Sequence, residues 1–123
     1  MINEIKQKLK NAGNPGKIPF IKNYLKSPYA FYGVKVPDSR EIAKDYKNLD
    51  INEIYNLFDQ LWSSGNHEEM SLAIHILQQY KKKFNDETWR FLAARLSKAV
   101  TWDHIDWLAT DIFSEMLKND LNF

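Results

Sequence analysis

Apolar residues recur at intervals of three and four along almost the whole chain, which is the spacing of amphipathic helices. Ile2, Ile5 and Leu9 predict a first short helix, ended by Asn11-Ala12-Gly13-Asn14-Pro15. Ile18, Ile21, Tyr24 and Leu25 predict a second, stopped near Ser27-Pro28. Residues 29–36 form an aromatic-rich loop around Gly33, and Phe31 to Val36 is the one strand candidate, without a pairing partner. Pro37-Asp38-Ser39-Arg40-Glu41 reads as a helix start, with Asp38 as cap and Glu41 closing a capping box; this third helix is expected to reach about Asn48.

Asn52 is the expected cap of a fourth helix that buries Ile54, Leu57, Phe58 and Leu61 and breaks at Ser63-Ser64-Gly65-Asn66. The fifth carries Met70, Ala73, Ile74, Leu77 and Tyr80 and ends in Lys81-Lys82-Lys83. Asn85-Asp86 opens a sixth, with Trp89, Leu92, Ala93 and Leu96 inward. Thr101-Trp102-Asp103 opens a seventh, with Ile105, Leu108, Ala109, Ile112, Phe113 and Met116 inward. The fourth and fifth helices and the sixth and seventh form successive pairs. Asn52-Glu53 aligns with Asp86-Glu87, Leu57 with Phe91, Phe58 with Leu92 and Leu77 with Ile112. The pattern predicts an all-α fold, a HEAT-like helical-repeat solenoid of about seven helices in one domain over residues 1–123. A plain helical bundle has the same periodicity.

Composition narrows the chemistry. With 123 residues and a hydrophobic fraction of 44%, the chain suits one globular domain. Its net charge of +1 argues neither for nor against a nucleic-acid partner, so only local clustering of cations can. It has no Cys, hence no disulfide, thiolate or Cys-metal chemistry. His67, His75 and His104 are too scattered for metal-ligand spacing, and no cofactor or metal is expected. The N-terminus lacks an apolar signal core, and no apolar run approaches a membrane span, so the expectation is a cytoplasmic protein, nucleoid-associated in a bacterium, with no membrane partner.

Three segments in order carry a family resemblance. The first is Leu25 to Tyr46, with Phe31-Tyr32-Gly33-Val34-Lys35-Val36-Pro37-Asp38-Ser39-Arg40. The second is Leu61-Trp62 and a following helix that ends in Gln78-Gln79-Tyr80-Lys81-Lys82. The third is Trp102-Asp103-His104-Ile105-Asp106. Together they resemble the AlkD-like DNA alkylation repair glycosylases, a family of HEAT-like repeats. Members are usually longer, so the resemblance implies the N-terminal half of such a protein.

The resemblance implies removal of cationic alkylated purines, such as 7-methylguanine and 3-methyladenine, from duplex DNA by hydrolysis of the N-glycosidic bond. Asp106 matches the family's catalytic Asp. Trp102 and Tyr24 match aromatics beside the lesion nucleotide. Lys22, Lys26, Lys35, Arg40 and Lys44 are candidate contacts to the DNA backbone.

Residue types alone leave plainer readings open. Trp102 could be a packing residue, Asp103 is a helix cap worth ~1 kcal/mol, and Asp106 could complement a helix dipole by roughly 0.3–1 kcal/mol. Trp62 and Trp89 are expected in the core, and Lys81-Lys82-Lys83 is a cationic helix end. The competing function is a non-catalytic helical-repeat module that binds DNA or protein. Self-association through the final helix, which carries Ile112, Phe113, Met116 and Leu117, is the expected quaternary consequence of an uncovered solenoid end.

Overall fold

A computed structural model describes residues 1–25 and 29–96, without the side chains of Ile21, Tyr24, Leu25, Trp89, Ala93 and Leu96. Among the described residues there are six α-helices and no strand: α1 (Ile2–Ala12), α2 (Ile18–Leu25), α3 (Val36–Ala43), α4 (Ile51–Trp62), α5 (His67–Gln78) and α6 (Asp86–Leu96). Short 3-10 turns occupy Pro15–Lys17, Lys44–Tyr46 and Lys81–Lys83. The expected seventh helix lies outside the described residues.

The helix starts follow from side chains that satisfy otherwise orphaned backbone N–H groups. Asp50 accepts from the N–H of Asn52 and so caps α4, two residues before the cap expected at Asn52. Asn66 accepts from Glu69 N–H at the start of α5. At α6 the capping is reciprocal: Asn85 Oδ1 accepts from Thr88 N–H, and Thr88 Oγ1 accepts from Asn85 N–H.

Helix α3 departs from its expected start. It begins at Val36, its N-cap is Lys35, and no side chain caps it. Pro37 sits in the first turn, where a missing N–H costs nothing. Asp38 is therefore inside the helix, its charge facing the positive end of the dipole, and Glu41 pairs with Lys44 rather than closing a box. The helix ends at Ala43 and tightens into the 3-10 turn, short of Asn48.

The arrangement of the helices is fixed by a repeated sequence shift. Ser39 Oγ meets His75 Nδ1 at 2.9 Å, and Gln79 Nε2 donates to Ala43 O at 2.7 Å, each across 36 positions. A constant shift means that α3 and α5 lie side by side and run in the same direction. The chain ahead of them obeys the same rule, because Ala30 forms a parallel bridge with Asn66. In the other layer, Arg95 Nε and Nη2 grip Asp59 Oδ1 and Oδ2 at 2.7 and 2.9 Å, again across 36 positions. The Tyr55 and Phe91 rings stack at 4.5 Å. Helices α4 and α6 are thus neighbours as α3 and α5 are.

The short connection from Ser63 to Asn66, with Gly65 at a φ of 74°, turns α4 back onto α5. Two layers of like-directed helices, joined by tight antiparallel turns and shifted by one repeat, are the HEAT-like solenoid expected from the apolar pattern.

The core lies between the layers. Ile54, Leu57, Phe58, Leu61 and Trp62 of α4 meet α5, and Ile5 and Leu9 of α1 close one side, both fully buried. Each such aliphatic or aromatic side chain contributes roughly 1.5–3 kcal/mol. Helix α5 is central: every residue from His67 to Leu77 is buried, not just the expected stripe of Met70, Ala73, Ile74 and Leu77. Its polar residues must therefore find partners inside the protein.

Candidate nucleic-acid interface

The parallel packing of α3 and α5 leaves a groove of about 290 Å³, lined by Arg40, Ala43, Lys44, His75, Gln78 and Gln79. Ser39 and Ala43 form the buried face of α3 against α5. Arg40 and Lys44 each follow one of them by a single position, so both stand on the same exposed side, one turn apart. Residues 75, 78 and 79 recur at helical spacing and form the facing wall. Beneath it the Ser39–His75 hydrogen bond joins the helices, and Gln79 occupies the last carbonyl of α3 at Ala43. The groove is therefore a small channel with a fixed floor and a cationic edge.

Arg40 and Lys44 are thus brought together, while Lys35 is not with them. Lys35 is exposed at the opposite, N-terminal end of α3. Lys22 is exposed on α2. Lys44 is held at 2.9 Å by Glu41; among the described residues Lys22, Lys35 and Arg40 have no ion-pair partner. The side chain of Tyr24 is not described, and Lys26, Trp102 and Asp106 lie outside the described residues.

Two buried acids at the start of α5 organise the aromatic loop. Glu68 is 4% exposed, and its carboxylate accepts three consecutive backbone N–H groups: Tyr32 at 2.9 Å, Gly33 at 2.5 Å and Val34 at 2.7 Å. Charge-assisted bonds of this kind are about twice as strong as neutral ones. Glu69 accepts the Tyr32 hydroxyl at 2.9 Å and lies 3.4 Å from the Lys6 ammonium. Burial, and then the Glu69 hydrogen bond, push the Tyr32 phenol up to about 12.

Gly33 is required in the loop, with a φ of +80° and a position where a Cβ would stand 2.2 Å from Asn14 O. Phe31 stacks on His67 at 4.6 Å, which completes the attachment of the loop to the start of α5. The sequence alone did not single out Glu68, because the three successive N–H groups that need its carboxylate are turned inward only by the folded loop.

A second concavity, of about 500 Å³, opens where α4 and α6 meet the loop, with Trp62, Met70, Tyr29 and the Asp59–Arg95 pair in its wall. Trp62 is buried, as its apolar neighbours led one to expect. No group of His, Asp and Glu side chains among the described residues could hold a metal ion. No described helix is long and apolar enough to cross a membrane.

The sequence profile of a family described as DNA alkylation repair enzyme matches residues 5–122. No curated protein matches the chain. The profile match spans all three segments that carried the resemblance, and the helical architecture agrees with it. DNA is the partner and DNA repair the role that come with this match: the chain belongs to the DNA alkylation repair enzyme family.

Proposed function

We propose that the chain is a DNA N-glycosylase that hydrolyses the N-glycosidic bond of cationic alkylated purines in duplex DNA. The observation that carries this reading is the family match, which runs through Trp102, Asp103 and Asp106. The basic edge of the α3–α5 groove supports it, since Arg40 and Lys44 set two cations one helical turn apart where a phosphate backbone can reach them.

The chemistry explains the residues chosen. An alkylated purine already carries positive charge, and when the bond to the sugar breaks, its electron pair leaves with the base and cancels that charge. The leaving group therefore needs no proton donor. The demand falls on the sugar, which develops oxocarbenium character as the bond lengthens. A fixed carboxylate beside it stabilises that charge and receives or directs the proton of the water that attacks the anomeric carbon. This is the role assigned to Asp106. Trp102 and Tyr24 offer aromatic faces to a cationic base, an attraction of about 0.5–2 kcal/mol each. Lys22, Lys26, Lys35, Arg40 and Lys44 contact phosphates. The activity belongs in the cytoplasm, at the nucleoid in a bacterium.

The test is release of 7-methylguanine and 3-methyladenine from alkylated duplex DNA, run beside a salt-dependent binding titration. Release above the spontaneous rate is expected. Salt-sensitive binding without release would replace the enzyme by a DNA-gripping module, and absence of both would point to a protein-binding repeat.

A further inference from the structure

Phe20, on α2, is 76% exposed, the most open of the large apolar side chains among the described residues. A single exposed apolar residue needs no explanation by itself. Three features of its surroundings distinguish this one. The first is charge. From Ile5 to Pro37 the chain holds seven lysines and no acid, and the remaining residues hold ten basic and sixteen acidic side chains. Within that stretch Lys6 and Lys8 meet acids from elsewhere in the fold, Glu69, Glu4 and Asp45. Lys10, Lys17 and Lys22 are exposed and have no acid partner among the described residues. Phe20 lies between the last two in sequence.

The second feature is the mounting. The turn before α2 is tied to the aromatic loop: Asn14 N–H donates to Gly33 O at 3.0 Å, and Lys17 N–H donates to Asn14 O at 3.0 Å. Asn14 Oδ1 accepts from Gly16 N–H at 3.1 Å. Glu68 holds the N–H of the same Gly33. Pro19 stiffens the first turn of α2 with its fixed φ. The ring therefore leaves the surface from a braced base. The third feature is register. Phe20 stands four positions before Tyr24, so the two positions fall on one face of α2, roughly 6 Å apart along its axis. Tyr24 is the aromatic on this helix assigned to the cationic base.

We infer that Phe20 is a stacking surface for a nucleobase displaced from the duplex next to the lesion. This rests on the proposed DNA-directed function and adds a residue to it. One helical turn of offset covers between one and two base steps of about 3.4 Å, which puts the ring beside a neighbouring nucleotide. In paired DNA the faces of a base are covered by its neighbours, and a ring reaches one only where the stack opens. An aromatic ring among cations is the combination that holds unstacked nucleotides: the cations keep the strand close and the ring takes the base face. A second copy of this chain is a poor occupant, since a two-fold contact would set the lysine-bearing, acid-free face against itself. Stacking is blind to base identity, so Phe20 reports that a base has left the stack, not which base it is.

The test measures affinity of the full chain for three duplexes of one flanking sequence: fully paired, with one unpaired adenine, and with one unpaired abasic nucleotide. The unaltered chain should bind the adenine duplex about 5–50-fold more tightly than the abasic one, within what stacking of one base supplies. Phe20→Ala should bring that ratio close to one and leave affinity for paired DNA nearly unchanged. Phe20→Leu, which keeps apolar bulk but not the flat face, should lower the ratio as well, and Phe20→Tyr should keep it. A ratio near one in the unaltered chain, or a full ratio in Phe20→Ala or Phe20→Leu, would overturn the inference. A lower melting temperature or an altered oligomeric state in Phe20→Ala, with the ratio intact, would overturn it too, because the ring would then pack against this chain or a second copy. The outcomes separate from the functional reading: base release with a ratio of one removes the stacking surface alone, and a Phe20-dependent ratio without base release removes the glycosylase alone.

Discussion

The carboxylate of Glu68 accepts the backbone N–H of Gly33 at 2.5 Å, inside the protein and 35 positions along the chain. With Tyr32 and Val34 on the same carboxylate, one side chain at the start of α5 fixes the entry to α3. Glu68→Gln keeps the shape but loses the charge and turns one acceptor into a donor that faces N–H groups. It should destabilise the fold by about 2–3 kcal/mol, measured by chemical denaturation. A loss below about 0.5 kcal/mol would mean that the loop has another anchor.

Gly33→Ala tests the same junction from the other side. The positive φ costs roughly 1–2 kcal/mol with any Cβ, and the Cβ meets backbone at Asn14, which cannot swing away as a side chain could. Asn14 N–H also donates to Gly33 O at 3.0 Å, so relief by backbone movement breaks a further bond. The variant should melt well below the unaltered chain, and an unchanged melting temperature would refute this geometry.

Alkaline pH should loosen the same region. Tyr32 titrates at about 12 in the folded protein against an ordinary value near 10, because burial and Glu69 disfavour the phenolate. Tyr46 and Tyr80 are also raised, mainly by burial. A raised acid favours the folded state while it holds its proton, so this stability is complete below pH 10 and is lost as pH climbs towards 12. Phenolate absorbance should rise together with unfolding. In Tyr32→Phe the fall in stability over that window should be shallower; an identical slope would exclude Tyr32 as a contributor.

The repeats are coupled by Arg95, which grips Asp59 with two nitrogens, donates to Phe91 O and stacks 3.6 Å from the Phe91 ring centre. Asp59 is half exposed, which weakens the charge component. A double-mutant cycle with Asp59→Ala and Arg95→Ala should give a coupling of about 0.5–1 kcal/mol. A coupling of zero would leave the α4–α6 packing to Tyr55, Phe58 and Phe91 alone.

Much of this architecture was legible from apolar spacing, because helix faces must bury their Leu, Ile and Phe residues. Ile5, Leu9, Leu57, Phe58 and Leu77 are all in the core as their periodicity requires. The expected repeat was offset unevenly, with Asn52 aligned to Asp86 but Leu77 to Ile112. The observed caps at Asp50 and Asn85 bring the first helices to the shift of the second, and Ile54, Leu57 and Leu61 then fall on the positions of Trp89, Leu92 and Leu96. Periodicity could not give the parallel neighbours, since a helix pattern names the buried face but not what covers it. Nor could it bury Glu68 and Glu69, whose partners are the loop N–H groups, the Tyr32 hydroxyl and the Lys6 ammonium. Of the candidate site, Arg40 and Lys44 share an edge, while Trp102 and Asp106 were legible through a motif alone. Lys81-Lys82-Lys83 forms the 3-10 turn that follows α5, the cationic helix end its sequence suggested.

The central claim is that Asp106 supports glycosidic bond hydrolysis in alkylated DNA. It is tested most directly by the single-turnover rate of 7-methylguanine release for the unaltered chain and for Asp106→Asn, with DNA affinity measured for both. The account predicts release by the unaltered chain and a loss of about 10²–10⁴-fold in the variant, with affinity for unmodified duplex unchanged. Equal rates in the two proteins would contradict it.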